Sequence, residues 1–379
     1  MKHFKDIIVL PWEHKYKWTK PVGGPIYPDW NSNTDVRHLR TDANWDTYPT
    51  EIPNLDDVDV SDTVVYYGGH IKEHFGHFIV EYLSRCVQYV SHIKRNKNYK
   101  LCLTGDSSQT WDKIPRYIKE ILELYGYNQT NVYIVNKKPV LFKNLYVCPQ
   151  AEHLYSSYPT SPDYINLLNF YKTNAKQKRV GNYFISRTNF ASPIRGKQGG
   201  LLGEKYIESA FNELGYTIVY PEKLTIKEQL EIYSTAKELV FVEGSAVHGL
   251  QLLGKNEVNV TIFQRRNDFK HGYNELINRV AKLEYIPCVD IFKRLVRSTK
   301  DTSQVSANGI NKSYGLPHQN RTKKLFDRLS NKNTKSKFVF CMESFTRQIE
   351  LDYLDYILGN TETTTLSNIF KSELTQNEI

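Results

Sequence analysis

Cysteine is scarce in this chain of 379 residues. Five are scattered along it, Cys86, Cys102, Cys148, Cys288 and Cys341. No CxxC pair offers a zinc site, and an odd count without a secretory leader argues against a disulfide framework. Reduced core thiols in a cytosolic compartment are the expectation. Long apolar runs are missing too. Residues 7–10 form a brief one that Pro11 and charges end at once, too short for a signal peptide or a membrane span, and no later stretch reaches spanning length. Acidic residues are in deficit: 41 Asp and Glu stand against 50 Lys and Arg, a net charge of +9. That balance favours anionic partners, whether nucleotide phosphates, acidic glycans, anionic lipid or nucleic acid, without choosing among them.

What remains is ample material for a soluble protein with real cores. Aromatics make up 13% of the chain, with 27 Tyr, and the mean hydropathy is −0.53. The length suits two ordinary domains. Residues 11–60, rich in Trp, Pro, Asp and Asn, read as extended surface structure in which Trp12, Trp18, Trp30 and Trp45 pin the segment to the core or line a groove. Residues 63–67 (TVVYY) read as a buried strand broken by Gly68-Gly69, followed by a helix from His70 or Glu73 to Ile93. Strands at 100–103, 131–135 and 145–147 and a helix at 111–125 make this half α/β. A polar run at 172–179 marks the boundary. The expected division is 1–175, 176–297, and a polar, basic 298–379 that is loosely packed to 337 and ends in a helix.

The second half is organised around residues 216–254. Residues 216–220 and 239–242 read as strands buried on both faces. Between them, Thr225 and Glu228 have capping-box spacing, and Leu230, Ile232 and Tyr233 dock the helix that follows. Strand–helix–strand implies a right-handed parallel crossover, with ligands expected at the carboxyl ends of the strands. Pro221-Glu222 and Glu243-Gly244-Ser245 lie there, and free N–H groups of a helix after Ser245 would suit a phosphate.

In the first half, His70, His74, His77 and Glu81 share one stripe if the segment is helical throughout. Three uses compete for it: a base for a reacting hydroxyl, a transition-metal site on the histidines, or a solvated polar face. Gly76 within this helix suggests close approach of another group.

Residues Ile185-Ser186-Arg187, Gly215-Tyr216, Pro221-Glu222 and Glu228-Gln229, in this order and spacing, resemble glycosyltransferase family 61 of the bacterial capsular and surface-polysaccharide type. The similarity covers roughly residues 60–265 and is dense from 183 to 254. It implies a GT-B-like α/β fold, two Rossmann-like domains facing a central cleft, and an inverting, metal-independent glycosyltransferase. The implied substrates are a nucleotide sugar, UDP-linked before CMP-linked, and a glycan or glycolipid acceptor. The implied place is the cytoplasm, with peripheral contact to anionic membrane and no nucleic acid. Gly76-His77 looks like the acceptor-side motif, so His77, with His74 and Glu81, is the catalytic candidate. Arg187 and Arg195, the latter beside Lys197 in RGKQGG, would grip the diphosphate, although Gln198 rules out a P-loop. Glu222 would accept ribose hydroxyls. Glu243 departs from the family, which usually has His there. It would hold a sugar hydroxyl or pair with Arg187, leaving His248 to face the phosphates beside Gly244 and Ser245. Asp56-Asp57-Val58-Asp59 precedes the first strong strand and reads as a solvated loop rather than a metal-binding Asp-x-Asp. A nonenzymatic glycan- or anionic-surface-binding protein and a metal hydrolase using His70, His74 and His77 are the rivals.

Overall fold

The computed structural model describes residues 1–13, 22–26, 37–41, 43–44, 53–157, 160–168, 179–190, 199–266, 269–292, 295–297, 305–307, 314–332 and 337–359. Two sheets carry the fold. The first contains β1 (Lys2–Glu13) and β2 (Val22–Ile26) and, beyond the short hairpin of β3 (Leu39–Arg40) and β4 (Ala43–Asn44), continues with β5 (Asp59–Ser61), β6 (Val65–His70), β7 (Lys100–Thr104), β8 (Val132–Val135) and β9 (Val140–Val147). Its order is β2-β1-β9-β6-β7-β8, with β5 also on β9. β5, β6, β7 and β8 run parallel to their neighbours, and β1 is antiparallel to both β2 and β9. Residues 11–60 are therefore not all surface loop: β1 runs to Glu13, and Trp12 is buried with its ring 3.3 Å from that of His70. Trp18, Trp30 and Trp45 lie outside the described residues.

Gly68-Gly69 does not end its strand. All six residues of β6 are buried, and a Cβ on Gly68 would sit 2.8 Å from Cys86 Sγ and 2.9 Å from Leu101 Cδ1. The strand keeps glycine there because a helix and a neighbouring strand press on it. His70 is consequently the last residue of β6. The helical segment starts five residues later, with α1 (Phe75–His77), a π-helical turn (Phe78–Tyr82) and α2 (Leu83–Arg95). α3 (Arg116–Leu124) links β7 to β8 and buries Ile118, Ile121 and Leu122.

Past α4 (Pro162–Leu168), the second sheet comprises β10 (Asn182–Ile185), β11 (Thr217–Val219), β12 (Glu238–Val242), β13 (Asn259–Phe263) and β14 (Lys282–Ile286), all parallel in the order β11-β10-β12-β13-β14. α5 (Glu204–Glu213) connects β10 to β11. α6 (Ile226–Thr235) connects β11 to β12, starting at the Thr225/Glu228 capping box and burying Ile226, Leu230 and Tyr233. The expected helix after β12 is wound as a 3₁₀-helix over Ser245–Leu253. Nine residues is long for that geometry, whose poor hydrogen bonds usually limit it to short pieces.

One buried apolar cluster holds Phe78, Tyr82 and Ile118 of the first half together with Leu239, Val247 and Leu250 of the second, so the sheets share a core. The expected boundary near 175 lies outside the described residues. The polar stretch 298–337 is not loose throughout. α7 (Gln319–Lys332) buries Leu325, Phe326 and Leu329 against Phe211 and Phe263, because its few apolar residues fall at helical spacing on one side. α8 (Met342–Gly359) joins the same cluster through Phe345 and Ile349. Among the described residues, no helix is long and apolar enough to cross a membrane.

Candidate active site

Strand order reverses between β10 and β12, and ligands of open parallel sheets bind outside the carboxyl ends of the strands at such a point. Ser186-Arg187 leaves β10 there, Gly244-Ser245 leaves β12 and Gln264-Arg265-Arg266 leaves β13. Arg187 is buried, and its Nη2 donates to Gly199 O at 3.0 Å while the guanidinium carbon lies 5.2 Å from the Phe190 ring centre. A Cβ on residue 244 would collide with Arg187 Nη1. Glycine follows β12 because the guanidinium fills that space.

Glu243 is fully buried and does not line the cleft. Its Oε2 accepts from the backbone N–H of Arg265 at 3.1 Å and of Arg266 at 3.2 Å, and its Oε1 pairs with Arg266 Nε. It pairs with Arg266 rather than Arg187, and its oxygens are occupied in shaping the turn after β13. A ligand hydroxyl finds no room on it. Arg265 Nε donates to the Glu243 carbonyl at 3.1 Å. The outcome is three guanidiniums, Arg187, Arg265 and Arg266, at one end of a cleft of about 550 Å³. Burial pulls Arg187 below its ordinary pKa, and burial with the neighbouring Arg187 and Arg266 pulls Arg265 down to about 10. Crowded, desolvated cations of this kind are stabilised by an anion.

The opposite wall comes from the first half. His74 caps α1, its Nδ1 accepting from His77 N at 3.4 Å. His77 Nδ1 lies 2.7 Å from Glu81 Oε2, across the π-helical turn. Arg40 forks onto the same carboxylate, Nε to Oε1 at 2.5 Å and Nη2 to Oε2 at 2.8 Å, and His38 Nε2 stands 3.7 Å from Oε1. Burial alone would raise the Glu81 pKa, but the nearby His38 and the bonds from His77 and Arg40 outweigh it and hold the group well below the usual carboxylate range. Glu81 is thus a fixed anion. An ionised carboxylate only accepts, so His77 Nδ1 carries a proton toward it and Nε2 is left for the cleft.

The walls meet at Gly76. A Cβ there would lie 2.7 Å from His248 Cδ2 and 3.3 Å from Ser245 Cβ, which accounts for a glycine in a helical turn. Burial, with His77 and His248 as neighbours, lowers His74 to about 4; burial lowers His248 to about 4 as well. Glu222 is exposed at the rim, in the turn after β11.

The structure brings His74, His77, Arg187, Glu222, Gly244, Ser245 and His248 to this one cleft. It does not bring His70, whose Nδ1 faces Thr104 Oγ1 at 2.5 Å inside the first sheet, so the His70/His74/His77 trio does not converge. Among the described residues, no group of three or more His, Cys, Asp or Glu is arranged to hold a metal. Arg195 and Lys197 lie outside the described residues. Sequence reasoning missed Arg265 and Arg266, which follow β13 directly, and it missed Arg40, for which no local signal exists. Residues 75–260 match the family model described as Glycosyltransferase 61. The protein is a glycosyltransferase. The matched segment of this glycosyltransferase runs from the first residue of α1 into β13, taking in His77, Glu81 and Arg187 and ending short of Arg265 and Arg266. No curated protein matches the chain.

Proposed function

We propose that this glycosyltransferase acts with inversion and without a metal, moving a sugar from a UDP-linked donor to a hydroxyl of a glycan or glycolipid in surface-polysaccharide synthesis. The observation that carries this reading is that the His77–Glu81 pair and the Arg187/Arg265/Arg266 cluster face each other across one cleft. In this mechanism the donor diphosphate rests on the three guanidiniums and the acceptor hydroxyl on His77 Nε2. The acceptor oxygen attacks the anomeric carbon from the side opposite the nucleotide. His77 takes its proton, and the Glu81 carboxylate stabilises the imidazolium that forms. The C1–O bond to the diphosphate breaks in the same displacement. The arginines receive the growing negative charge, the role a divalent cation has in metal-dependent transferases. Three cations suit a diphosphate better than the single phosphate of a CMP-linked donor. The two α/β halves then act as the two faces of a GT-B-like cleft, and the chain's net charge of +9 favours contact with anionic lipid where a glycolipid acceptor resides.

Thermal-shift titration with UDP, GDP and CMP tests the reading, followed by assay of sugar release from UDP-sugars. UDP is expected to raise the melting temperature most, with Arg187→Ala reducing the shift. Absence of a shift with all three nucleotides would overturn it.

A further inference from the structure

His248 is held from behind by a chain of buried groups that the reaction above does not use. His248 Nδ1 lies 2.7 Å from Gln251 Oε1, and Gln251 Nε2 donates to Glu152 Oε1 at 3.0 Å. Arg279 Nη2 pairs with that same oxygen, and Arg279 Nη1 donates to the Gln251 carbonyl at 2.9 Å. Thr160 Oγ1 adds a third donor to Glu152 Oε1, at 3.1 Å. Glu152, Gln251 and Arg279 are all buried.

The polarity of this chain follows from its far end. Arg279 can only donate. Burial raises the Glu152 pKa, yet its Oε1 meets three donors at once, Arg279 Nη2, Gln251 Nε2 and Thr160 Oγ1. An oxygen that already faces a guanidinium is an acceptor, so the NH₂ of Gln251 faces Glu152 and the amide oxygen faces His248. That oxygen needs a proton on His248 Nδ1. Burial keeps the ring neutral, since its pKa falls to about 4. One proton is present and it sits on Nδ1, so Nε2 carries a lone pair.

Nε2 is on the side of Gly76, where a Cβ would lie 3.3 Å from it. The charged and titratable groups facing the ring are His74 and His77 from the first half, Arg266 from the turn after β13 and, further off, Glu81. Tyr273 packs beside it, with ring centres 5.1 Å apart. His248 therefore sits at the seam between the base wall and the arginine wall, where the transferred sugar would lie. A bare nitrogen repels phosphate oxygens, so the phosphate-facing role expected for His248 does not fit its protonation.

We propose that the Arg279–Glu152–Gln251 relay fixes His248 in the Nδ1–H tautomer, so that Nε2 accepts a hydrogen bond from a hydroxyl of the sugar being transferred. The sugar half rests on the nucleotide-sugar reading, whereas the tautomer does not, and the test separates them. The tautomer is read in the ligand-free protein by long-range ¹H–¹⁵N correlation on ¹⁵N-histidine-labelled full chain, with His248→Gln assigning the signal. Wild type is expected to show Nδ1 protonated and Nε2 bare from pH 5.5 to 8. Gln251→Leu should shift the ring toward the Nε2–H form. The double variant Gln251→Glu/Glu152→Gln, which exchanges carboxylate and amide while keeping Arg279 balanced, should restore Nδ1–H. An Nε2–H ring in wild type, or one indifferent to Gln251→Leu, overturns the relay.

The sugar half is read by comparing binding of UDP with binding of a panel of UDP-hexoses. His248→Phe is expected to weaken the best UDP-hexose about tenfold and to leave UDP unchanged, the scale of one lost hydrogen bond. Equal loss on both ligands, or none on either, overturns the hydroxyl assignment. Failure of wild type to bind UDP overturns the nucleotide reading and the hydroxyl role with it, while the tautomer result still decides the relay.

Discussion

Arg187 and Gly244 occupy one volume between them: the guanidinium of the first fills the space a side chain on the second would need. Backbone torsion does not demand glycine at 244, since its φ of 172° is ordinary extended chain. The requirement is purely steric. Gly244→Ala is therefore expected to act on nucleotide binding through Arg187. Both Gly244→Ala and Arg187→Ala should weaken UDP binding by roughly 1.5–3 kcal/mol, the scale of a lost charged hydrogen bond, and the double variant should cost little more than either alone. Calorimetric titration checks this, and additive losses would separate the two residues. Arg187→Lys keeps charge without the planar fork and should recover only part of the affinity.

The contact of Gly76 with His248 makes a second, purely structural prediction. Alanine is the better helix former by about 1 kcal/mol, so Gly76→Ala would stabilise an exposed helical turn. Here the methyl meets the imidazole at 2.7 Å, and overpacking costs typically about 1–3 kcal/mol. Net destabilisation in urea unfolding is expected, and His248→Ala in the same chain should relieve it. If Gly76→Ala is as stable as wild type, the halves are not in contact there.

Much of this arrangement is legible in the sequence, and the exceptions have physical causes. The strands read at 216–220 and 239–242 are short apolar runs, and the Thr225/Glu228 box is a local motif; both are readable. Arg187 at a strand end follows from the same rule that should have picked out Arg265 and Arg266 after β13. Glu243 misleads because a sequence does not say to which side of a turn a carboxylate points; two backbone N–H groups and Arg266 draw it inward. His70 misleads because its spacing from His74 is helical while its backbone is strand, continued through two glycines by packing with Cys86 and Leu101. Arg40 reaches Glu81 from 41 positions away, a relation that only tertiary structure creates.

Opposed buried groups predict how stability responds to pH. His74 and His248 have folded pKa values of about 4, against about 6.5 in an unfolded chain. The unfolded state binds their protons first, so their contribution is full above about pH 6.5 and declines as pH falls toward 4. Glu204 and Glu275 act in the other direction, because burial raises them to about 7 and about 8; the folded state binds those protons first, and stability declines as pH rises through that range. Between about pH 4.5 and 6.5 the two histidines and the two carboxylates act in opposite directions, so differences between variants carry the information. The stability of wild type relative to His248→Gln should rise with pH up to about 6.5 and then level off. Relative to Glu275→Gln it should fall with pH up to about 8. Chemical denaturation across pH 4–9 reads both, and parallel profiles for the three proteins would contradict the burial of these groups.

The His77–Glu81 pair separates catalysis from binding. His77 belongs to the first half, and the three arginines to the second, so His77→Ala should leave UDP affinity nearly unchanged and reduce transfer by roughly 10²–10⁴-fold, the span of general acid–base catalysis. Glu81→Gln should cost less. The amide oxygen still accepts from Nδ1, so the ring stays aimed, but no anion stabilises the imidazolium. That variant also leaves the Arg40 fork without its counter-charge. Its stability loss should stay below the roughly 3–5 kcal/mol of a fully buried broken pair, because the Arg40 side chain remains 15% exposed. Rates must therefore be taken per folded molecule, and Arg40→Met serves as the control that removes the cation and keeps the carboxylate. It should retain more activity than His77→Ala, since Glu81 still orients the ring. Near-normal transfer by His77→Ala together with its loss in Glu81→Gln would make the carboxylate the base. A carboxylate already clamped by Arg40, His38 and His77 is too weak a base to take a hydroxyl proton, so the expected order of loss is His77→Ala, then Glu81→Gln, then Arg40→Met.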